Sequence, residues 1–589
     1  MVLQELEELA LAHAALHPLV RRLSEAHQEL VTNSSQNQSV AEIRFGPTNF
    51  PQRPLLQVCG WSQIPENVMS RVFGLLIRDT ARVPHNEEIP YRCGQAARVC
   101  SALVRSVCAR WRSVHDANLE QLEPSFLPGC EGSRSLARFP HLKMLSLRRV
   151  SYSEMAGGDA AGDVIRRACA ACPELTQLDM CAGGSMESSD VQAMTKLTAL
   201  QSLHLSRTNV DKRGVARLGA LTSLTRLHLG DWHGLPALRA LSRLPSLTEL
   251  DLSSCLRRRV NNGVVRELVQ FPALSSLNLQ CCETMDAEGF DALSRISGLA
   301  WLSLSCHALS RVSFDYLHHL SGLESLTSLE LTSGQAVSQQ HIRDWGNLAT
   351  LYSLRLSESI ASATMHDIGL YLTALTCLDL SQCRDVSVTG LEGLSRLSSL
   401  TSLNLSKCTG ITDAALMSIS CITTLQTLNL GFSGPYANDG ICALAAKLSS
   451  LTSLNLALGG RKMMDETGCT SAGFEALSNL HSLTDLTLSF CSGLTNQGVR
   501  ALCGLSALTN LDLSCCKKVS DECIWALCRI STLTSLDLSG CDKVSYSGVR
   551  GLSSLPMLIG LRLHISVPAM QEPEIFYVDG SFPIHIQLE

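Results

Sequence analysis

Cys169 and Cys172 stand two residues apart, the spacing of half a tetrahedral zinc site, where thiolate sulfur is a natural ligand. No second pair follows at zinc-site spacing, so the two read as the buried side of a helix. His318 and His319 form an isolated pair on an expected helix, where a satisfied structural histidine is far commoner than a ligand pair. The chain has no G-x-x-x-x-G-K-S/T loop, no H-E-x-x-H and no G-x-S-x-G. No catalytic residue, metal site or cofactor is expected, and the protein is expected not to be an enzyme. Of its 25 cysteines, seven (Cys255, Cys282, Cys383, Cys408, Cys491, Cys516 and Cys541) share one position in a recurring sequence phrase. A small, easily buried side chain with a weak S–H donor suits a corner where turn carbonyls need partners. These cysteines read as reduced structural thiols rather than disulfides.

The elements that position them come from that phrase. Leucine, two variable residues, leucine, one variable residue and leucine recur seventeen times from Leu142 to Leu563, once with Met180 as the third residue. The units are mostly 23 to 27 residues long. In the unit beginning at Leu400, a short strand turns Leu403 and Leu405 inward, and Ser402, Asn404 and Ser406 outward, by period-2 alternation. The return path is expected to be helical, with Ile411, Leu416 and Ile419 as its apolar stripe. No unit can bury its leucines alone; stacking makes one continuous core. At about 4.8 Å per parallel neighbour, seventeen strands make a face roughly 75 to 80 Å long.

This pattern resembles a leucine-rich repeat, and the implied fold is an α/β solenoid, a horseshoe of about 17 repeats. The runs Cys408 to Leu416, Cys516 to Asp521 and Cys541 to Ser545 are similar to the cysteine-containing subclass typical of F-box and related leucine-rich-repeat proteins.

Composition bounds the function. The chain has 589 residues, 45% hydrophobic, 5% aromatic and 17% charged, with a net charge of -6. That balance disfavours a nucleic-acid reader. No apolar run approaches the roughly 18 residues of a membrane span. Glu5, Glu7 and Glu8 stand where a secretory or organelle signal is basic, so a cytoplasmic or nuclear protein is expected.

Residues 1–55 read as an amphipathic helix followed by a polar linker, 56–120 as a small helical module, 121–567 as the solenoid and 568–589 as a C-terminal cap or tail. The module resembles an F-box, on Ile64 and Pro65 at its start, Val68, Val72, Phe73 and Leu76 on a first apolar face, and Val107, Cys108, Trp111 and Arg112 in a closing phrase. The resemblance implies docking of Ile64, Pro65, Val68, Val72, Phe73, Leu76, Val107, Cys108 and Trp111 onto a Skp1-like adaptor and, through it, a cullin complex. The chain would then be the substrate-recognition subunit of an SCF-type ubiquitin ligase. A loop inserted near 79–94 departs from the family's spacing. Two other readings stand beside this one: a helical cap for the first repeat, and a non-degradative scaffold in a stable cytoskeletal, ciliary or organellar assembly.

The residue between the second and third leucine projects from the concave face, giving a polar, mildly acidic column. Within that column and its neighbour, Arg226, His228, Asp251, Trp301, Glu330, Arg355 and Asp379 are candidates for target binding, as are Arg461 and Lys462 in the stretched unit from Leu451 to Leu483. Tryptophan and arginine dominate binding hot spots, and insertions in solenoids go to loops on the binding face.

Overall fold

In a computed structural model, the structure describes most residues between 119 and 562, with short gaps, together with 576–578 and 582–587. The chain divides into two compact units, one of residues 1–179 and 196–200, the other of 180–195 and 201–589. In the first unit the strands Gln121–Leu122, Met144–Ser146 and Gln177–Asp179 pair in parallel. Helix Ala161–Ala171 has Ile165, Ala168 and Cys169 buried.

Among the described residues the second unit carries fifteen parallel repeat strands, from Ser202–Leu205 to Gly560–Arg562. Their register is uniform: Leu403 stands beside Leu378 on one side and Leu428 on the other. Alternation does what the sequence pattern requires: Ser402–Asn404 reads half-buried, buried, half-buried. The leucines of the phrase are sealed from water, Leu400, Leu403 and Leu405 being fully buried. A buried leucine contributes roughly 1.5–3 kcal/mol, and a unit supplies three at the strand alone.

Most strands are followed by a helix of about two turns, such as Val388–Leu394 or Asn496–Leu502. Ile411, expected on the helical stripe, lies before helix Asp413–Ile419. Gly410 has φ +91 and Thr412 is extended, so Ile411 enters the core from the approach to the helix rather than from its face.

Polar ladders knit each unit to the next. Threonine just after the first leucine donates its hydroxyl to the backbone carbonyl one repeat earlier: Thr452 to Gln426, Thr484 to Thr452, Thr509 to Thr484 and Thr534 to Thr509, at 3.0–3.1 Å. On the helical side, a side-chain oxygen accepts from the amide that opens the next helix, as Asp413 does from Ala437, Asn496 from Ser520 and Asp521 from Ser545. Each bond satisfies a donor that a helix N-terminus leaves orphaned.

The cysteine column forms a third ladder. Cys383, Cys408, Cys491, Cys516 and Cys541 are buried, and each thiol donates to the carbonyl of the third leucine of the unit before: Leu356, Leu380, Leu456, Leu488 and Leu513. In the unit that begins at Leu425, Ser433 occupies the same rung and donates to Leu405 at 2.5 Å. Burial pushes the Cys541 thiol up to about 12 and raises those of Cys491 and Cys516 as well, so these three sulfurs are donors rather than nucleophiles. Cys172, in the first unit, directs its thiol at the carbonyls of Leu136 and Phe139. The side chains of Cys255 and Cys282 lie outside the described residues.

At the end of the chain, Phe576–Val578 and Phe582–Gln587 form an antiparallel hairpin whose second strand pairs in parallel with Gly560–Arg562.

Candidate functional site

The open face of the sheet is built by the residues that alternate with the buried leucines, and adjacent strands hold them in register. Two clusters of the predicted candidates are brought together. In the first, the register sets Arg226 beside Glu249 and His228 beside Asp251. His228 reaches both acids, Nε2 to Glu249 at 3.0 Å and Nδ1 to Asp251 at 3.2 Å, and its ring stacks on His204 with centroids 4.8 Å apart. Burial alone would pull the imidazole down, but the hydrogen bonds and charges of Asp251 and Glu249 outweigh it and hold His228 up at about 9. The imidazolium in turn lowers both acids: its hydrogen bond dominates at Glu249, while at Asp251 it overcomes the upward push of burial together with the Ser253 bonds.

In the second cluster Arg355 lies between Glu330 and Asp379, at 3.1 and 3.3 Å. An isolated acid in either place would face its neighbours unscreened; the arginine bridges three consecutive strands. Trp301 stands between these clusters, half-buried, with Ser276 and Ser328 at its sides in register. Small neighbours on both flanks leave the indole accessible across the strands.

The Asn and Asp residues of the central column have a role that the sequence pattern hides. Asp251, Asp379, Asn404, Asn429, Asn455, Asp512 and Asp537 each accept the backbone N–H two residues on, at 2.7–3.0 Å. They close Asx turns at the end of each strand, a local geometry these two side chains favour. The residue following several such turns adopts the left-handed conformation, as does Phe490 in the unit where Thr487 stands in place of Asn or Asp: Gln382, Lys407, Phe432, Phe490, Cys515 and Gly540 have φ between 58 and 71. Only one of the six is glycine, so this second column carried no sequence signal. The recurring Asn or Asp with Ser or Gly two residues later was the signal available for the first.

The face therefore has two layers of function. The aspartates and asparagines keep Oδ1 on the backbone and retain a second polar atom, the aspartate Oδ2 or the asparagine Nδ2, and the arginine and histidine clusters tie neighbouring strands together. Among the described residues no nucleophile and base are paired there, and no group of His, Cys, Asp and Glu is arranged to hold a metal ion. Ile64, Pro65, Val68, Val72, Phe73, Leu76, Val107, Cys108, Trp111, Arg461 and Lys462 lie outside the described residues.

Residues 303–589 match a family described as a leucine-rich repeat region. Among solved structures, the chain is similar to an internalin from Listeria monocytogenes, at 22% identity over 60% of this chain and 93% of that one, with a TM-score of 0.38. It is similar to a leucine-rich-repeat protein of Leptospira interrogans, at 18% identity over 76% of this chain and 100% of that one, TM-score 0.42. A yeast structure described as the Rad7 and Elc1 complex matches at 18% identity over 56% of this chain and 83% of that chain, TM-score 0.40. No curated protein matches. Residues 303–589 are a leucine-rich repeat region, a kind of domain that implies protein–protein interaction.

Proposed function

We propose that this chain is a non-catalytic substrate-recognition subunit of an SCF-type ubiquitin ligase, acting in the cytoplasm or nucleus. The segment from Trp61 to Val114 docks a Skp1-like adaptor and its cullin, and the open sheet face holds the target. The observation that carries this reading is the pairing, in one chain, of the F-box-like phrases (Ile64 and Pro65, then Val107 to Arg112) with a long protein-binding repeat array. Such a subunit needs no active site. It raises the concentration of the target beside a catalytic centre carried by another subunit.

A second reading, a stable non-degradative scaffold, is favoured by one feature of the face. The ionic groups of the Glu249–His228–Asp251 and Glu330–Arg355–Asp379 clusters satisfy one another across strands, as groups with a structural duty do. Affinity purification of the intact protein from its own cells separates the two. Recovery of adaptor and cullin, lost in the Pro65→Ala, Trp111→Ala double variant while the repeats stay folded, is the expected result. A fixed set of other proteins with no cullin would establish the scaffold instead.

A further inference from the structure

On the helical side, three neighbouring units put an unusual row of side chains toward solvent. Helices Asn496–Leu502, Asp521–Leu527 and Tyr546–Gly551 carry Arg500, Trp525 and Arg550 in one equivalent place, two residues before the buried Leu502, Leu527 and Leu552. Trp525 therefore stands between two arginines in the stack of helices. It is 62% exposed, more than any other large hydrophobic residue among those described. Gly551 gives the ring its seat. A Cβ there would stand 2.9 Å from the indole Cδ1 and 3.2 Å from Nε1, so the indole leans on helix Tyr546–Gly551 by one edge and leaves most of its surface to water. Folding gains little from an aromatic in such a place.

The charges around it say what would cover it. Elsewhere on this side an arginine of one helix meets an acid of the next: Arg239 with Glu267, Arg266 with Glu288, Arg343 with Asp367 and Arg500 with Glu522. Arg550 lies on the final helix of the described residues, so no further helix among them brings it an acid. Neither Arg550 nor Arg529, one turn beyond Trp525, has a side-chain hydrogen bond or ion pair among the described residues. The charge of Arg529 reaches the Cys503 thiol, which burial keeps protonated. Asp521 and Glu522, on the helix of Trp525, are already held, Asp521 by Ser545 and Ser547 and Glu522 by Asn496 and Arg500. A broad anionic surface, such as a lipid bilayer or a nucleic-acid backbone, would have to meet those two carboxylates as well. A single chain segment can set its acids on the arginines alone.

The geometry points to Trp525, Arg529 and Arg550 as a docking surface for an acidic segment of a protein partner, with an aromatic or large aliphatic side chain over the indole and aspartate or glutamate on the two guanidiniums. The segment supplies Arg550 with the acid that the next helix supplies to Arg239, Arg266, Arg343 and Arg500. Tryptophan and arginine are the residues that dominate binding hot spots, and a guanidinium–carboxylate pair strengthens when an apolar contact beside it excludes water. This surface lies on the helical side, apart from the open sheet face, and does not rest on the proposed function.

Phage-displayed random dodecapeptides panned on the full chain test it, after depletion on a triple variant, Trp525→Arg, Arg529→Gln, Arg550→Gln, that removes peptides bound elsewhere. Enriched peptides should carry aspartate or glutamate beside an aromatic or large aliphatic residue. A synthetic copy of the best of them should bind Trp525→Arg, and separately the Arg529→Gln, Arg550→Gln double variant, about tenfold or more weaker than the intact protein, in line with a lost hot spot. Binding to the intact protein should also fall as salt rises. These variants keep the fold, which unchanged denaturant midpoints check: arginine already stands in the place of Trp525 at Arg500 and Arg550, and the two replaced arginines make no side-chain bond among the described residues. Equal or tighter binding by Trp525→Arg would show attraction by charge alone and overturns the proposal. So do equal binding by the double variant, enrichment of peptides without an acid, and no enrichment at all. A concentration-dependent dimer that Trp525→Arg dissolves overturns it too, since a second copy would then be the occupant. Adaptor recovery is read separately in the same proteins. Its absence with peptide binding intact defeats the ligase reading and leaves this surface standing.

Discussion

His228 is the residue whose chemistry is most altered by the fold. Two acids and a stacked ring surround it, and its proton is held up at about 9 against an ordinary 6.5. Because the folded imidazole binds its proton more tightly than the unfolded one, protonation stabilises the fold. The contribution is complete below pH 6.5 and is lost as pH rises through about 9. A shift of this size is worth about 1–3 kcal/mol. Denaturant midpoints measured from pH 6 to 10 should therefore fall over that window in the native protein, and fall less in His228→Gln. Parallel curves for the two proteins would show that the cluster is held by packing alone. Sequence spacing found His228, Asp251, Arg355 and Asp379 as charges on one face. It could not show that they are one another's partners, because register between strands 23 to 27 residues apart decides which acid meets which base.

At the scale of the element, the strand-end turn is the part of the repeat that sequence reading saw least. Leucine periodicity is legible because burial of an apolar residue is the same in every unit. A left-handed turn residue is legible only when it is glycine, and here most units use something else. The same blindness made the Asn and Asp column read as purely outward-facing, although most of its members close an Asx turn. The strain is testable. Lys407, exposed at φ 58, should become more stable as Lys407→Gly by up to about 1 kcal/mol, since the left-handed conformation penalises a Cβ by that order. Gly540→Ala should move the other way. Its φ is 71, and a Cβ there would stand 2.9 Å from the Cys515 sulfur. Chemical denaturation of the two single variants measures both signs, and a loss of stability in Lys407→Gly would mean that the lysine stem contributes packing there.

At the scale of the whole molecule, stability is passed from neighbour to neighbour. Each described ladder, whether of threonine, cysteine or helix-opening amide, joins a unit only to the one before or after it. Such an array is weakest where neighbours run out, and an exposed parallel edge also invites pairing with other chains. The hairpin of Phe576–Val578 and Phe582–Gln587 stands at that place, its second strand continuing the sheet from Gly560–Arg562. Deleting residues 568–589 removes the strand without touching any leucine of the repeats. Amides of the last units, around Asn510–Asp512 and Ser535–Asp537, should then exchange with solvent about ten- to a hundredfold faster, a loss of about 1.4 to 2.8 kcal/mol in local opening. Those of the strands from Ser202–Leu205 to Ser276–Leu279 should not change, because nearest-neighbour coupling fades over the intervening units. Equal acceleration along the entire second unit would show instead that it opens as one cooperative block. No acceleration anywhere would show that the hairpin only lies against the sheet, and that the final leucines, Leu555, Leu558 and Leu561 among them, close the core by themselves.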